Sequence, residues 1–341
     1  MSFLKAILAL VLVIGTLAAA SFVGGWIWLQ NEINKAGPSQ TATVFEIQRG
    51  EGLATAANRL EEVGLISDAR VLRLDARLSG TEEQIKAGTY TIPAGASVHA
   101  IMEQLVEGEV IQLKLTIPEG LTTGQILRRV KDADVLTGEM PTEPIEEGVL
   151  LPDTYIFGTG TTRVQFIERM KAEQTRLLDE LWPERAGDIP VKTKREAVIL
   201  ASIVEKETAS AEERGIVAGL FTRRLKVGMR LESDPTIIYG ISKGEPLYNR
   251  NGERRTLYRS EIDRKTDWNT YQIDGLPKTP ICNPGRDAIA AVLNPPETEY
   301  VFFVADGKGG HLFAKTYAEH QRNVAAYRAY EREEIARERS N

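Results

Sequence analysis

The amino-acid sequence predicts an α+β fold in three parts. These are an N-terminal transmembrane helix, a small strand–helix–helix–strand (βααβ) subdomain, and a larger, mainly helical domain with small sheet elements. A long apolar run opens the chain, short segments with strand-like alternation follow it, and helical patterns dominate the remainder. The 341 residues leave room for about two domains, and 42% hydrophobic with 26% charged residues is ordinary for a globular protein.

Net charge and rare residue types exclude several kinds of protein. The net charge of -6 argues against nucleic-acid binding, because affinity for phosphate comes from clustered lysine and arginine. Cys282 is the single cysteine, which excludes an intrachain disulfide and a cysteine metal cluster. His99, His311 and His320 contain no pair at i, i+4, so a zinc hydrolase is a poor interpretation. We expect no metal site and no nucleic-acid partner.

The N-terminal run from Phe3 to Leu29 carries a single charge, at Lys5. It exceeds the roughly 20 residues that cross a bilayer as a helix, and it ends in Trp26 and Trp28, a residue type enriched at membrane interfaces. A cleaved signal peptide, whose apolar region spans about 7–15 residues, is the alternative.

We predict that residues 1–30 are a transmembrane anchor and that residues 31–43 are a linker, because Gly37-Pro38-Ser39 lies there. Both interpretations place the chain from Gln30 onward outside the cytoplasm. We expect a single-pass protein of the inner (cytoplasmic) membrane, with a cytoplasmic N-terminus and a periplasmic or extracytoplasmic remainder.

Residues 44–109 carry the pattern of the small subdomain. Alternating apolar residues predict its strands, and apolar residues at helical spacing predict its helices. The predicted elements are a strand at Val44–Ile47, helices at Leu53–Val63 and about Asp68–Leu78, a strand at Gly88–Pro93 and a further helix from Ser97.

Residues 110–148 are a predicted connecting α/β segment, and residues 149–330 are the larger domain. Threonine capping boxes, Thr-x-x-Gln or Thr-x-x-Glu, predict three helix starts. The predicted elements are a strand at Val110–Ile117, capping boxes at Thr122–Gln125, Thr162–Gln165 and Thr193–Glu196, a strand at Tyr300–Ala305 and a helix from Tyr317. The charged tail, 331–341, is predicted to be a solvated helix end.

The helix that begins near Thr193 leads an apolar stretch directly into two glutamates. Between Ala197 and Val204 only Ser202 is polar, so this helix is predicted to be buried nearly all round. A carboxyl group at the end of such a helix loses hydration, which raises its pKa. A general acid for glycosidic bond cleavage needs this property.

Helical spacing favours Glu207 over Glu205 as that acid. Leu200, Ile203 and Val204 share one face with Glu207, at i, i+3, i+4 and i+7, and Glu205 lies on a different face. The alternative is that both glutamates mark where a core helix reaches solvent and pair with a nearby basic residue.

Several further residues are candidates for binding a substrate. Asp234, Thr236 and Tyr239 could line a cleft, or they could have a purely structural role, with Asp234 capping the turn that follows. Asn269 and Tyr271 offer an amide, a hydroxyl and a ring that suit sugar hydroxyls and faces, although an ordinary turn explains them equally. The glycine-rich loop at 306–311 lacks the residue order of a phosphate-binding loop. A hairpin that contacts glycan is one interpretation of this loop, and a tight turn is the simpler one.

Four long segments resemble the endolytic murein transglycosylase (YceG-like) family. They are ILASIVEKET, GLFTRRLKVGMRLESDPTIIYG, WNTYQIDGLPKTPICNPG and YVFFVADGKGGHLFAKTYAEH. They occur in order between about Leu150 and His320. The resemblance implies a LysM-like subdomain at 44–109 and a catalytic domain with a lysozyme-like glutamate at 149–330. Glu207-Thr208 is the nearest equivalent of the Glu-Ser pair of lytic transglycosylases, and Glu205 is the alternate.

The resemblance also implies an activity. A lytic transglycosylase cleaves the β-1,4 bond between N-acetylmuramic acid (MurNAc) and N-acetylglucosamine (GlcNAc) and leaves 1,6-anhydro ends. One glutamate serves as acid and then base, so no cofactor is required. Peptidoglycan strands, the inner membrane and peptidoglycan synthases are the implied partners, and termination of strand elongation is the implied role. A second acid would instead make a hydrolase, and a tethered, non-catalytic binding or scaffold protein is the other alternative.

Overall fold

The computed structural model describes residues 2–48, 50–108 and 111–340. The protein has a mixed helical and small-sheet fold with one apolar N-terminal helix, as predicted. It divides into two compact units. Unit 1 comprises Met1–Leu113 and Ile156–Gly160, and unit 2 comprises Lys114–Tyr155 and Thr161–Asn341. The predicted division between residues 109 and 110 lies outside the described residues.

Unit 1 has the predicted order of strands and helices. Its elements are α1 (Ser2–Asn34), β1 (Thr43–Ile47), α2 (Leu53–Glu62), α3 (Ala69–Ser79), β2 (Gly88–Ile92) and α4 (Val98–Glu107). β1 and β2 pair antiparallel, with Phe45 opposite Tyr90. Asp68 caps α3 by accepting from the amide of Arg70, and Ser97 caps α4. The LysM-like character of this subdomain stays a prediction.

Helix α1 is long and apolar enough to cross a membrane, and its segment Leu10–Asn34 has a mean hydropathy of 2.1. Its last turns enter the core of unit 1, where Leu29 and Ile33 are buried. The helix continues to Asn34, so the first residues of the predicted linker, 31–43, are helical. Packing against α3 and α4 explains why the helix does not stop at the end of the apolar run.

Strands β3 (Gln112–Thr116) and β4 (Thr154–Gly158) form a second two-stranded sheet. The strand predicted from Val110 to Ile117 is therefore shorter, and Val110 itself lies outside the described residues. The elements that lie wholly in unit 2 are α5 (Thr123–Lys131), α6 (Arg163–Leu181), α7 (Lys194–Glu207), α8 (Ala211–Lys226), α9 (Asp234–Ser242), α10 (Arg259–Ile262), α11 (Arg286–Leu293), β5 (Phe302–Ala305), β6 (His311–Ala314) and α12 (Tyr317–Ser340).

Two of the three predicted capping boxes form completely, and the third forms only in part. Those of α5 and α6 are complete. At α7, Thr193 accepts from the amide of Glu196 as predicted, but the Glu196 carboxylate accepts from the amide of Lys192 at 2.5 Å. The third box is therefore only half formed, because the glutamate satisfies the residue before the cap.

Helix α7 is the centre of unit 2. All eight residues from Ala197 to Val204 are buried, which confirms the predicted burial on every side, and the helix packs against α8 and α11. The one polar residue, Ser202, is fully satisfied: its hydroxyl donates to the carbonyl of Ile199 and accepts from the amide of Ile281. This packing fixes the position of the residues that end the helix.

Strands β5 and β6 form an antiparallel hairpin. The Asp306 carboxylate accepts from the amides of Lys308 and Gly310 at 2.7 and 2.9 Å, so the glycine-rich loop is a tight turn. The charged tail belongs to α12, which extends to Ser340.

Candidate active site

Glu207 is the last residue of α7, and the backbone becomes extended at Thr208. The residue as a whole is partly exposed at the end of the buried helix. Burial raises the pKa of Glu207 to about 7, and the nearby Asp234 acts in the same direction, whereas a hydrogen bond from Ser233 opposes them. The Ser233 hydroxyl donates to Glu207 Oε1 at 2.5 Å. A carboxyl with a pKa near 7 can both give and accept a proton at neutral pH.

Ser233 precedes α9 at the N-cap position, where a serine hydroxyl usually accepts from the first amides of the helix. Here it makes no capping bond and donates to Glu207 instead. Its own position is fixed by two threonines: its amide donates to Thr270 Oγ1 at 3.0 Å, and its carbonyl accepts from Thr236 Oγ1 at 2.6 Å. Sequence reasoning missed Ser233, although a serine directly before Asp234-Pro235 does indicate a helix start.

The segment before Ser233 is held in an unusual conformation. Glu232 has a φ of 51°, a region that non-glycine residues occupy at a cost of about 1–3 kcal/mol. The buried Arg224 holds this segment by donating to the carbonyl of Leu231 at 2.8 Å and to Glu232 Oε2 at 3.2 Å. Arg224 also donates to the carbonyl of Val301 at 2.6 Å, so a single guanidinium stabilises the strained approach to the site.

Asp234 and Tyr271, both predicted site residues, meet directly. The Tyr271 hydroxyl donates to Asp234 Oδ1 at 2.8 Å, and Asp234 is close enough to Glu207 to raise its pKa. Burial raises the pKa of the Tyr271 hydroxyl, and Asp234 raises it further, so this hydroxyl stays a donor. Glu207, Ser233, Asp234 and Tyr271 therefore form one cluster, which we call the Glu207 cluster.

Thr236 and Asn269 lie behind this cluster and are fully buried. The Thr236 hydroxyl bonds to Ser233 and, at 2.9 Å, to Thr270. The Asn269 amide donates to the carbonyls of Ile262 and Arg264, and its oxygen accepts from the amide of Tyr271. Both side chains hold the backbone that presents Ser233 and Tyr271.

Tyr239, the remaining predicted residue, belongs to a different network. Its hydroxyl donates to Glu147 Oε2 at 3.1 Å, and Glu147 also accepts from Thr123 and Asn283. Burial raises the pKa of Glu147, and the hydrogen bonds from Thr123 and Tyr239 oppose the rise. No residue of this network was predicted from the sequence apart from Tyr239.

Glu205 points away from the Glu207 cluster, toward the start of α11. Its Oε2 accepts from the amide of Gly285 at 3.1 Å. Burial raises the pKa of Glu205, that hydrogen bond opposes the rise, and the neighbouring Glu119 adds to it. Both glutamates thus resist ionisation, but one oxygen of Glu205 is committed to the backbone of a helix start.

The basic residues near these glutamates have other partners. Lys206 donates to the carbonyl of Gly120 at 3.3 Å, and Arg214 pairs with Asp287 at 3.3 Å. The simple interpretation in which a surface ion pair neutralises each glutamate therefore finds no support in these contacts.

A second pair lies next to the helix end. His311 donates from its amide to Glu213 Oε1 at 2.8 Å, and its Nδ1 lies 2.7 Å from Glu213 Oε2. Thr208, the residue after Glu207, donates to the same Glu213 oxygen at 3.4 Å. Burial opposes ionisation of Glu213, but the bonds from His311 hold its pKa below the usual value. The β5–β6 hairpin is thereby tied to the end of α7.

Among the residues that the structure describes, no group of three or more His, Cys, Asp or Glu side chains is placed to hold a metal ion. The chemistry that the Glu207 cluster offers on its own is proton transfer at Glu207, with a carboxylate and a phenol hydroxyl beside it.

Comparison with known proteins identifies the family. The profile of the YceG-like family matches residues 45–326. The chain belongs to the YceG-like family. This confirms the family predicted from the four sequence segments.

Relatives in this family carry an enzyme name that agrees with the predicted class. The chain is 26% identical to a Bacillus subtilis (strain 168) protein named endolytic murein transglycosylase, over 85% of this chain and 86% of that protein. It is also 26% identical to the protein of that name from Streptococcus pneumoniae serotype 2 (strain D39), over 94% of this chain and 65% of the relative. A crystal structure of a YceG-like protein from Listeria monocytogenes is 26% identical, covers 83% of this chain and 99% of its own, and superposes with a TM-score of 0.48.

Proposed function

We propose that this protein is a membrane-anchored endolytic lytic transglycosylase of peptidoglycan and that Glu207 is its acid and base. The names of the relatives support the reaction class. The observation that carries the residue assignment is the carboxyl of Glu207, which ends a buried helix and has a pKa of about 7.

The proposed reaction needs one carboxyl group and no water. In the first step the protonated Glu207 donates its proton to the oxygen that joins C1 of MurNAc to C4 of GlcNAc, and the C1–O bond breaks. In the second step the 6-hydroxyl of the same MurNAc attacks C1, and its proton returns to Glu207. The 1,6-anhydro ring closes with no net change in protons, and intramolecular attack is favoured because little entropy is lost.

Ser233 and Asp234, the neighbours of Glu207, have different roles in the proposed reaction. The Ser233 hydroxyl stabilises the ionised carboxylate after proton donation. Asp234, oriented by Tyr271, supplies negative charge near the sugar, where positive charge develops in the oxocarbenium-like transition state. In this proposal Thr236 and Asn269 position the cluster, and Glu205 stays the alternate acid.

The remaining parts of the chain are assigned by the same proposal. α1 anchors the enzyme as a single-pass protein of the inner membrane, and residues 149–330 form the catalytic domain outside the cytoplasm. The subdomain at 44–109 is LysM-like and binds glycan. Cutting close to the membrane would act on nascent strands and terminate their elongation, with peptidoglycan synthases as the partners.

Product analysis tests the proposal directly. Full-length protein in detergent is incubated with peptidoglycan, and the soluble products are analysed by mass spectrometry for wild type, Glu207→Gln and Glu205→Gln. We expect wild type and Glu205→Gln to cut within strands and to form new 1,6-anhydro ends. In Glu207→Gln the rate of anhydro-end formation should fall at least about a hundredfold. The reverse pattern would assign the acid to Glu205.

Two other outcomes would replace the proposed reaction. Reducing ends in place of anhydro ends would indicate a hydrolase, with Asp234 as the candidate second acid because it lies next to Glu207. Binding of glycan without any product would indicate a tethered binding or scaffold protein. Asp234→Asn should abolish product formation by a two-carboxylate hydrolase, whereas a lytic transglycosylase that relies on Glu207 should still form anhydro ends, at a lower rate.

A further inference from the structure

The contacts of α1 show where its exposed apolar surface ends. Its exposed large apolar side chains run from Ile7 to Trp28, whereas Leu29 and Ile33 are buried in the core of unit 1. The stretch from Ile7 to Trp28 corresponds to roughly 33 Å at 1.5 Å per residue, which matches a hydrocarbon core of about 30 Å. If α1 spans the membrane, the bilayer therefore ends at Trp26 and Trp28, immediately below the core of unit 1.

Helix α3 lies antiparallel to this end of α1. Near its start, Asp68 and Val71 line a small cleft together with Glu32 and Lys35. The end of α3 lines a second cavity, of about 310 Å³, in which Leu78 and Ser79 share the lining with Trp26 and Gln30 of α1. The same cavity is lined by Asp75 and His99, which pair with each other. The C-terminal end of α3 is thus the end closer to the apolar part of α1.

Leu78 is exposed at this position. Its exposed fraction is 56%, close to that of Trp26 at 48%. The charges beside it are mixed, because Arg77, Glu82 and Glu83 are all exposed. The surface around Leu78 therefore has no excess of positive charge that would attract anionic lipid. An apolar side chain beside an interfacial tryptophan fits the boundary between headgroups and acyl chains.

We propose that the C-terminal end of α3 docks onto the membrane that α1 spans, with Leu78 inserted at the headgroup–acyl boundary beside Trp26. Unit 1 is then held against the bilayer by two contacts, the buried turn of α1 and the tip of α3. It cannot swing freely on a flexible linker.

Depth-dependent fluorescence quenching tests the docking. Leu78→Cys and Val63→Cys are matched, because Leu78 and Val63 are exposed by 56% and 57%. Val63 leads into Ile66 and Ser67, which line the cleft beside Glu32 and Lys35 and not the cavity beside Trp26. Each full-length variant is labelled with an environment-sensitive fluorophore and reconstituted in phosphatidylcholine vesicles containing lipids brominated near the top of the acyl chains. Wild type, whose Cys282 is buried, corrects for background labelling.

We expect several-fold stronger quenching and a blue-shifted emission at position 78 relative to position 63. Equal quenching at both positions, or none at position 78, would overturn the proposal. The inference rests on the proposed membrane span of α1, so alkaline carbonate extraction is run on the same vesicles. Release of the protein would reject the span itself, whereas retention without quenching at position 78 would reject only the docking.

Discussion

Replacement of Ser233 by alanine isolates the hydrogen bond that opposes burial at Glu207. The hydroxyl donates to Glu207 Oε1 at 2.5 Å and lowers a pKa that burial raises. Without this hydrogen bond, burial and Asp234, which both raise the pKa of Glu207, are opposed less strongly. The pKa of Glu207 must therefore rise in Ser233→Ala if the contact has the assigned role.

The size of the rise follows from the strength of such a bond. A hydrogen bond to a charged group contributes about 1.5–3 kcal/mol, and about 1.4 kcal/mol corresponds to one pKa unit. The full loss would raise the pKa by about one to two units. Glu207 is partly exposed, so water replaces part of the bond, and we expect the lower end, a pKa near 8.

The higher pKa expected in Ser233→Ala should change the pH dependence of kcat/KM in one direction only. The free enzyme must carry a protonated Glu207 to act as acid, so kcat/KM falls as the pH rises through that pKa. In wild type the fall is centred near pH 7, since the pKa is about 7. Moving it to about 8 raises the ratio of kcat/KM at pH 8 to that at pH 6 about fivefold, even if poorer orientation of the carboxyl lowers kcat/KM at every pH.

The assay is the pH dependence of anhydro-end formation from defined glycan strands. Ser97→Ala is the matched control, because Ser97 also occupies an N-cap but bonds to the amide of Ala100 in unit 1. Its alkaline limb should stay with wild type. An alkaline limb that stays in place in Ser233→Ala, or moves to lower pH, refutes the assigned role of this hydrogen bond.

Three further predictions concern the same cluster. Glu207→Gln should raise Tm, and more so at pH 8 than at pH 5. The pKa of Glu207 is about 4.3 in the unfolded chain and about 7 in the folded protein, so the stability of wild type falls by up to about 4 kcal/mol as the pH rises from about 4.3 through 7, and the glutamine variant escapes this loss. Equal shifts in Tm at both pH values would contradict the prediction. Tyr271→Phe, which removes the donor to Asp234, should lower kcat about tenfold with little change in Tm, and an unchanged kcat would contradict it; exposed Tyr248→Phe is its control. Arg224→Met should lower the free energy of unfolding by about 1–3 kcal/mol, because the buried carbonyl of Leu231 loses its donor. A Tm equal to wild type would show that other contacts hold this segment.

The helices were predictable from the sequence where local chemistry decides them. Threonine caps and apolar spacing gave the starts of α5, α6 and α7, and a run with one polar residue gave the burial of α7. The third capping box was only half right because Glu196 bonds to Lys192. Whether the Glu196 carboxylate accepts from the amide of Lys192 or from that of Thr193 depends on local backbone geometry, which the spacing of residues in the sequence does not specify.

The partners of Glu207 were harder to predict because they come from distant parts of the chain. Asp234 and Tyr271 were named as separate candidates, but the hydrogen bond between them joins positions 37 residues apart in sequence. Ser233 was missed because a serine before a helix ordinarily caps it. Departure from that local rule is what marks Ser233 as part of the site.

The pKa of Glu207 is best understood as a balance. Burial by α7 alone would hold the proton too firmly for the carboxyl to release it, and Asp234 adds to that effect. Ser233 acts in the other direction, together with the nearby Arg224 and His311. A reaction that uses one group first as acid and then as base needs a pKa near the working pH, and only the sum of these opposing neighbours provides it. A change that raises the pKa of Glu207 should therefore slow its donation of a proton, and a change that lowers the pKa should slow its uptake of a proton.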